Sequence, residues 1–516
     1  MTRPDAAPPP SATAGPPSPL ADPAAVDAFG DDLREARFDA GTVPELLGTS
    51  AHRALGRGEV FAAERVTRGG AALETLVRLF LLGLDEPASA VAAALPRLGA
   101  DRAVAEGVLE RAGDRLRAAL DVRPHADDVA EYLVVSDPDF ELRPGPVRPD
   151  HVLGIGAASL SLARAVIRAE VDHALDIGTG CGIQSLHLSS HAGSIVATDT
   201  NPRALALAGA TARLNGLDWD LRLGGLYEPV GTETFDLVVS NPPFVVGPGE
   251  TRYTYRDSGM AGDEVCRALV TGAAQRLRPG GTAQFLANWV VRTGTDWRSR
   301  VGGWVQETGC DAWVVQRELA DPAEYVALWG KDAGETGAAA DAVAGRWLDW
   351  LQQQDVEAIG MGVITLRRSG ADDPDVVLDE LTGPGDEVTG EEAAAFLARR
   401  RWLRSVDDRG LLATRLSLAP DVLLEERSLP GPDGWTGVLR MLRRPTGPGA
   451  TLQVDEWGRS LLAGCTGLAP LGLLVELLAG AHGLDPDAVA AAVLPSVRDG
   501  ITRGLLHPVE HTDPAA

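Results

Sequence analysis

Hydrophobic spacing divides the chain into three unlike regions. Through residues 72–84 and 103–120, Leu, Val and Ala recur every three or four positions, and Asp85-Glu86-Pro87 breaks the pattern between them. That period puts the apolar side chains on one helix face. Residues 25–125 are therefore predicted to be a helical or winged-helix-like N-terminal domain. Residues 1–24 hold eight prolines among Ala, Ser and Gly. Such a segment buries too little apolar surface to offset its chain entropy, and it is predicted to be a disordered tail.

The pattern changes in the middle of the chain. A helical stretch over 153–168 is followed by the apolar run 171–177, which ends in a Gly-rich turn. Strands are then predicted at 194–198, 220–223, 235–240, 282–287, 312–317 and 362–366, with helices at 202–214, 264–277, 297–308 and 343–354. Alternation of this kind implies a parallel α/β sheet with helices on both faces. The domain is placed at 130–370, and the Gly/Ala-rich stretch 331–341 is read as a loop excursion within it. Residues 375–516 mix helical segments at 471–478 and 488–494 with a hairpin whose strands, 423–428 and 437–442, flank a Pro/Gly turn. That unit is predicted to be α+β or winged-helix-like.

Composition limits the function classes. In 516 residues, 47 Lys+Arg stand against 73 Asp+Glu, a formal charge of -26. Capture of nucleic acid by electrostatics alone is thereby disfavoured, because it depends on cations that neutralise phosphates. The densest basic clusters, 399–404 and 440–444, lie in a C-terminal region, residue 376 onward, with 13 Arg against 20 Asp+Glu. They read as solvated faces more readily than as a phosphate grip. Four scattered cysteines fit reduced thiols. With no apolar leader and no membrane-length apolar run, the expected location is cytoplasmic. His151, His173, His187 and His191 are close in sequence but lack metal-site spacing, and no metal is expected.

Two motifs carry chemistry. Asp176-Ile177-Gly178-Thr179-Gly180-Cys181-Gly182 sits where a strand meets a helix, with glycines spaced for a tight turn and close ligand approach. Ile183 follows Gly182, so the GxGxxG spacing of a pyrophosphate site is absent. At the end of the second strand stands Asp199, an acid able to accept two ribose hydroxyls. Taken alone, Asp176 could as well cap the turn, and Asp199 the next helix. The second motif, Asn241-Pro242-Pro243-Phe244, ends the fourth strand. There the Asn241 side-chain oxygen and the Pro242 carbonyl can take both hydrogens of a planar amine or amide nitrogen as positive charge develops on it. The prolines stiffen the loop and Phe244 offers a flat face.

In these residues the chain resembles class I S-adenosylmethionine-dependent methyltransferases. More narrowly, it is similar to the small-domain group that includes HemK-type glutamine enzymes and ribosomal RNA guanine-N2 enzymes. The resemblance implies a Rossmann-like core with a mostly parallel seven-stranded sheet and S-adenosyl-L-methionine as cofactor. It also implies a methyl acceptor that is a nucleic-acid base or a protein glutamine. Cofactor contacts would come from Asp176, Gly178, Thr179, Gly180, Gly182, Asp199, Thr200, Gly225, Leu226 and Asn241. Gly225 stands where an adenine-binding acid is often found, which leaves adenine to backbone groups and to Leu226 or Tyr227. Asn241, Pro242 and Phe244 would be catalytic, and Pro243, Tyr253, Tyr255 and Arg256 would bind the acceptor. A small-molecule acceptor, or a silent cofactor-binding scaffold, are the alternatives. The oligomeric state is not encoded in these motifs.

Overall fold

The second of those regions builds one sheet. Runs such as Phe-Asp-Leu-Val-Val-Ser are buried on both faces in all but one residue, the signature of a central parallel strand. The computed structural model describes residues 18–139, 147–332, 337–381, 383, 386–432 and 434–509. In chain order the strands are β1 (Val171–Ile177), β2 (Ala192–Asp199), β3 (Asp220–Leu223), β4 (Phe235–Ser240), β5 (Leu277–Arg292), β6 (Asp311–Ala320), β7 (Val356–Arg367) and β8 (Val376–Glu380). Their spatial order is β8-β6-β7-β5-β4-β1-β2-β3. Only β7 runs against the rest, pairing antiparallel with both β5 and β6. The fold is thus the expected Rossmann-like α/β sheet, with eight strands in place of seven. The extra strand, β8, lies beyond residue 370 and pairs in parallel with β6, Ala312 opposite Val376.

The helices are α1 (Ala157–Ala165), α2 (Ile183–Leu188), α3 (Pro202–Leu214), α4 (Glu264–Ala273), α5 (Trp297–Gln306), α6 (Pro322–Asp332), α7 (Ala338–Gln353) and α8 (Gly390–Ser405). The start of α3 shows how locally these boundaries are set. Asn201 accepts from the Arg203 amide and Pro202 occupies the first helical position, where no N–H is needed. Of the stretch 331–341 read as an excursion, 331–332 end α6 and 338–341 begin α7, the helix expected at 343–354, while 333–336 lie outside the described residues. Sequence reasoning missed α6, although Asp321 accepts from the Glu324 amide and Pro322 follows it, a helix start signal.

Two expectations for the N-terminal region need correction. The helical reading of 103–120 fails after Ala105: a short helix, Ala100–Ala105, is followed by strands Leu109–Ala112 and Arg115–Ala118. Gly107 and Gly113, both at positive φ, break the helix and turn the hairpin. The predicted disordered tail falls on 1–17, outside the described residues, and on 18–24, which are ordered. Leu20 is buried, and Asp22 caps a helix beginning at Pro23.

A continuous apolar cluster joins Phe29, Leu79 and Val135 to Leu207 and Leu214 of α3, and reaches Phe396 of α8. The N-terminal half of α8 packs into this core while Leu403, near its C-terminus, enters a separate C-terminal cluster. The predicted C-terminal hairpin is present as Leu423–Gly431 and Gly434–Arg443, and Leu429, Trp435 and Val438 near its tip are exposed. No helix among the described residues is long and apolar enough to cross a membrane.

Candidate functional site

At the C-terminal end of β1 the backbone makes a sharp turn. Gly178, Gly180 and Gly182 hold φ of +73°, +57° and +90°, where a Cβ is strained. Gly182 is also hemmed in, since a Cβ there would lie 2.6 Å from the Trp219 ring. Beneath the turn, the buried Asp176 Oδ2 accepts from the Thr179 hydroxyl at 2.8 Å, the Ser185 amide at 3.1 Å and the Ser185 hydroxyl at 2.7 Å. Burial outweighs these hydrogen bonds and pushes its carboxyl up to about 6. Asp176 and Thr179 were expected to touch the cofactor. The Thr179 hydroxyl and Asp176 Oδ2 fasten the turn from inside, while Asp176 Oδ1 is buried without a hydrogen-bond partner among the described residues.

Asp199 closes the turn from the other side. Its Oδ2 accepts from the Gly180 amide at 3.0 Å and its Oδ1 from the Asn201 amide at 2.8 Å, while burial raises its pKa. The Asp199 carbonyl accepts from the Gly224 amide at 3.0 Å, bringing the turn after β3 alongside. There Gly225 sits against Thr200, with 3.4 Å between a built Cβ and the Thr200 methyl, and Leu226 takes a φ of +49°. The expected residues Gly178, Gly180, Gly182, Asp199, Thr200, Gly225 and Leu226 therefore share one rim. Tyr227 is different: it is buried, and its hydroxyl donates to the Leu269 carbonyl at 2.7 Å. Its ring is part of the core and is not available to a base.

The fourth strand delivers Asn241 to the same place. The Ser240 hydroxyl donates to the Ile177 carbonyl at 2.7 Å, pinning β4 to β1 where the turn begins. The Asn241 carbonyl lies 3.9 Å from where a Cβ of Gly178 would be. Most telling is the Asn241 Oδ1 atom, which is buried and has no hydrogen-bond partner among the described residues. An orphaned acceptor of this kind is costly unless a ligand donor meets it. Pro242 is buried, Pro243 half-buried, and Phe244 meets Trp329 edge-on with ring centroids 5.9 Å apart.

The loop that follows is braced from inside. Tyr253 is buried beneath the Arg256 guanidinium, 4.8 Å from its ring, and Arg256 donates to the Trp329 carbonyl at 2.7 Å. These two side chains, expected to bind the acceptor, support the loop instead, because a buried guanidinium needs fixed acceptors. Tyr255 stays half-buried, its ring 5.9 Å from His151. Asn201 joins the loop to the rim by donating to the Thr254 hydroxyl at 3.4 Å, and it also donates to the Asp150 carbonyl at 3.0 Å. Sequence reasoning missed Asn201, Tyr325, Trp329 and Trp347. The aromatic spacing Tyr325, Trp329 on a capped helix was the available signal.

The basic clusters are committed elsewhere. Arg400 forks onto Asp375 with two bonds of 2.7 Å, Arg399 pairs with Glu392, Arg404 with Asp373, Arg440 with Glu426 and Glu456, and Arg444 with Glu392 and Asp421. Of the histidines, His187 meets His125 with 3.1 Å between their Nε2 atoms, and its Nδ1 lies 3.2 Å from Asp127. Among the described residues no group of three His, Cys, Asp or Glu has metal-holding geometry.

Residues 154–296 match the family model described as "Methyltransferase small domain". Residues 35–119 and 394–508 match two models described as domains of unknown function, DUF7059 and DUF7782. The chain is 33% identical over 193 residues to the release factor glutamine methyltransferase of Geobacter sulfurreducens, covering 34% of this chain and 64% of the relative. It is 29% identical over 225 residues to the ribosomal RNA small subunit methyltransferase C of Sodalis glossinidius, covering 42% of this chain and 60% of the relative. A solved methyltransferase from Pyrococcus furiosus is 16% identical, with 40% of this chain and 79% of that one covered and a TM-score of 0.25. The chain spans less than two thirds of the length of these curated relatives.

Proposed function

With a methyltransferase small domain at its centre, we propose that the chain is an S-adenosylmethionine-dependent N-methyltransferase acting on a planar nitrogen of a macromolecule. The observation that carries this reading is the unpartnered, buried Asn241 Oδ1 beside a turn of positive-φ glycines. A missing Cβ at 178 and 180 leaves room for the cofactor, and Asp199, held by two backbone amides, keeps spare acceptor capacity for hydroxyls. Gly225 and Leu226 are placed to border its base.

When bound, S-adenosylmethionine supplies an electrophilic methyl group. The chain supplies orientation and charge stabilisation. A planar amide or exocyclic amine is a poor nucleophile because its lone pair is delocalised. Asn241 Oδ1 and the Pro242 carbonyl accept its two N–H groups, turn the lone pair toward the methyl group and stabilise the positive charge that grows on nitrogen. Phe244 offers its face to the flat acceptor.

The relatives include enzymes named for a protein glutamine and for ribosomal RNA. Because Arg399, Arg400, Arg404, Arg440 and Arg444 are paired with carboxylates, the reading leans toward a glutamine amide in a protein. Tritiated S-adenosylmethionine incubated with a cell extract tests it: label released by protease supports this acceptor, and label released by nuclease moves the assignment to a base. Asn241→Ala should retain cofactor affinity within about twofold and lower transfer by roughly 100-fold or more. Undiminished transfer would remove the assignment of Asn241.

A further inference from the structure

Val246, two residues past Phe244, has both backbone groups taken by side chains rather than by a neighbouring strand. Its amide donates to the Tyr325 hydroxyl oxygen at 2.9 Å and its carbonyl accepts from Trp347 Nε1 at 2.9 Å. The same Tyr325 oxygen accepts from Asn288 Nδ2 of β5 at 2.8 Å. Tyr325 belongs to α6 and Trp347 to α7, the helical pair inserted between β6 and β7. Their rings are buried with Val245, Val246, Leu351 and Ile359 in a cluster apart from the main cores. One helical turn beyond Tyr325, Trp329 meets Phe244 edge-on and accepts from Arg256.

These contacts bear on a loop with a reason to relax. A buried acceptor without a partner costs free energy, so Asn241 Oδ1 favours any rearrangement that brings it to water. Two consecutive prolines fix φ between Asn241 and Phe244, so a restraint applied just beyond them is transmitted back. We propose that α6 and α7 form a clamp in which Tyr325 and Trp347 are positioning residues, holding Val246 from both sides so that Asn241 and Pro242 stay aimed at the acceptor nitrogen. The proposal rests on the N-methyltransferase reading above and assigns the inserted helices a part in it.

Tyr325→Phe deletes only the hydroxyl, whereas Trp347→Phe deletes the Nε1 donor together with part of the buried indole. Both are expected to bind S-adenosylmethionine within twofold of wild type by calorimetry. Each should lower the maximal rate of tritiated methyl incorporation into cell-extract protein and RNA by tenfold or more, with the KM for S-adenosylmethionine unchanged. Asp349→Asn, exposed on the same helix, should match wild type. Hydrogen exchange across 244–248 should quicken at least tenfold in Tyr325→Phe. Unchanged exchange overturns the clamp whatever the activity, and so does a rate loss that merely follows lost cofactor affinity. A wild type that binds S-adenosylmethionine yet transfers no methyl group overturns the function instead.

Discussion

The Gly180 amide donates to the Asp199 carboxylate at 3.0 Å, linking the turn after the first strand to the end of the second. The acid proposed to meet a ribose is thus also the acid that shapes the turn. Replacing Asp199 with Ala should remove both contributions and weaken S-adenosylmethionine binding by about 10- to 100-fold, on the scale of one or two charge-assisted hydrogen bonds. Titration calorimetry reads this directly, and an affinity equal to wild type would detach Asp199 from the cofactor.

Gly182 is constrained twice, by a φ of +90° and by the Trp219 ring 2.6 Å from a built Cβ. Gly182→Ala should destabilise the protein by about 2–4 kcal/mol, summing left-handed strain and a clash with a packed ring. Denaturant unfolding measures the loss. Gly216→Ala provides a contrast, since nothing lies within 4 Å of a Cβ there and only the backbone strain at φ +67° remains.

Burial holds His187 down at about 4, with His125 beside it a second contributor, and His125 is itself lowered by burial. In the unfolded chain both would protonate near 6.5, so between about 6.5 and 4 the unfolded state binds more protons. The His187 contribution is therefore fully present above 6.5 and is lost as the pH drops through that window, by roughly 2–4 kcal/mol. The buried Asp121 and Asp176 carboxyls, pushed up to about 7 and about 6, act in the opposite sense over the same window. The difference in unfolding free energy between wild type and His187→Gln should therefore fall by about that amount from pH 7 to 4, and a difference that stays constant would deny His187 this role.

Trp313 of β6 and Phe396 of α8 stack with centroids 4.2 Å apart and planes 11° from parallel. Their contact fastens the C-terminal region to the sheet. Phe396→Ala should cost about 3–5 kcal/mol of stability, the usual range for a buried aromatic truncation. Limited proteolysis near residues 382–390 should also quicken, and a protease pattern identical to wild type would deny the stack that role.

The chain's own pattern carried much of this architecture. Strands at 171–177, 220–223 and 235–240 and the helix at 202–214 follow directly from local signals: buried β-branched runs, a Pro after a capping Asn, and glycine turns. What escaped was governed by distant contacts. The strands at Leu109–Ala112 and Arg115–Ala118 share the spacing of a helix, and pairing with each other decides their state. Strand β8 is short and half-exposed, and only its place beside β6 makes it part of the sheet. In the site, the placement of Asn241 and Asp199 on one rim was legible because strand ends and glycine turns are local signals. Tyr253 and Arg256 were misread because a sequence does not reveal which side of a loop is buried. Tyr325 and Trp347 were missed because the backbone unit they bond lies 79 and 101 residues away.

At the junction of the N-terminal region and the core, the Asn215 side chain accepts from the Leu133 amide at 2.9 Å and donates to the Leu133 carbonyl at 2.8 Å, and Thr211 takes the Val135 amide at 3.1 Å. Side chains of a cofactor-domain helix thus complete the edge of a strand from the preceding region. That arrangement sets where the gene can be divided. A fragment starting near residue 150 would expose Leu207 and Leu214 and strip Asn215 of its partners. The catalytic unit to express is the one that begins before Leu20.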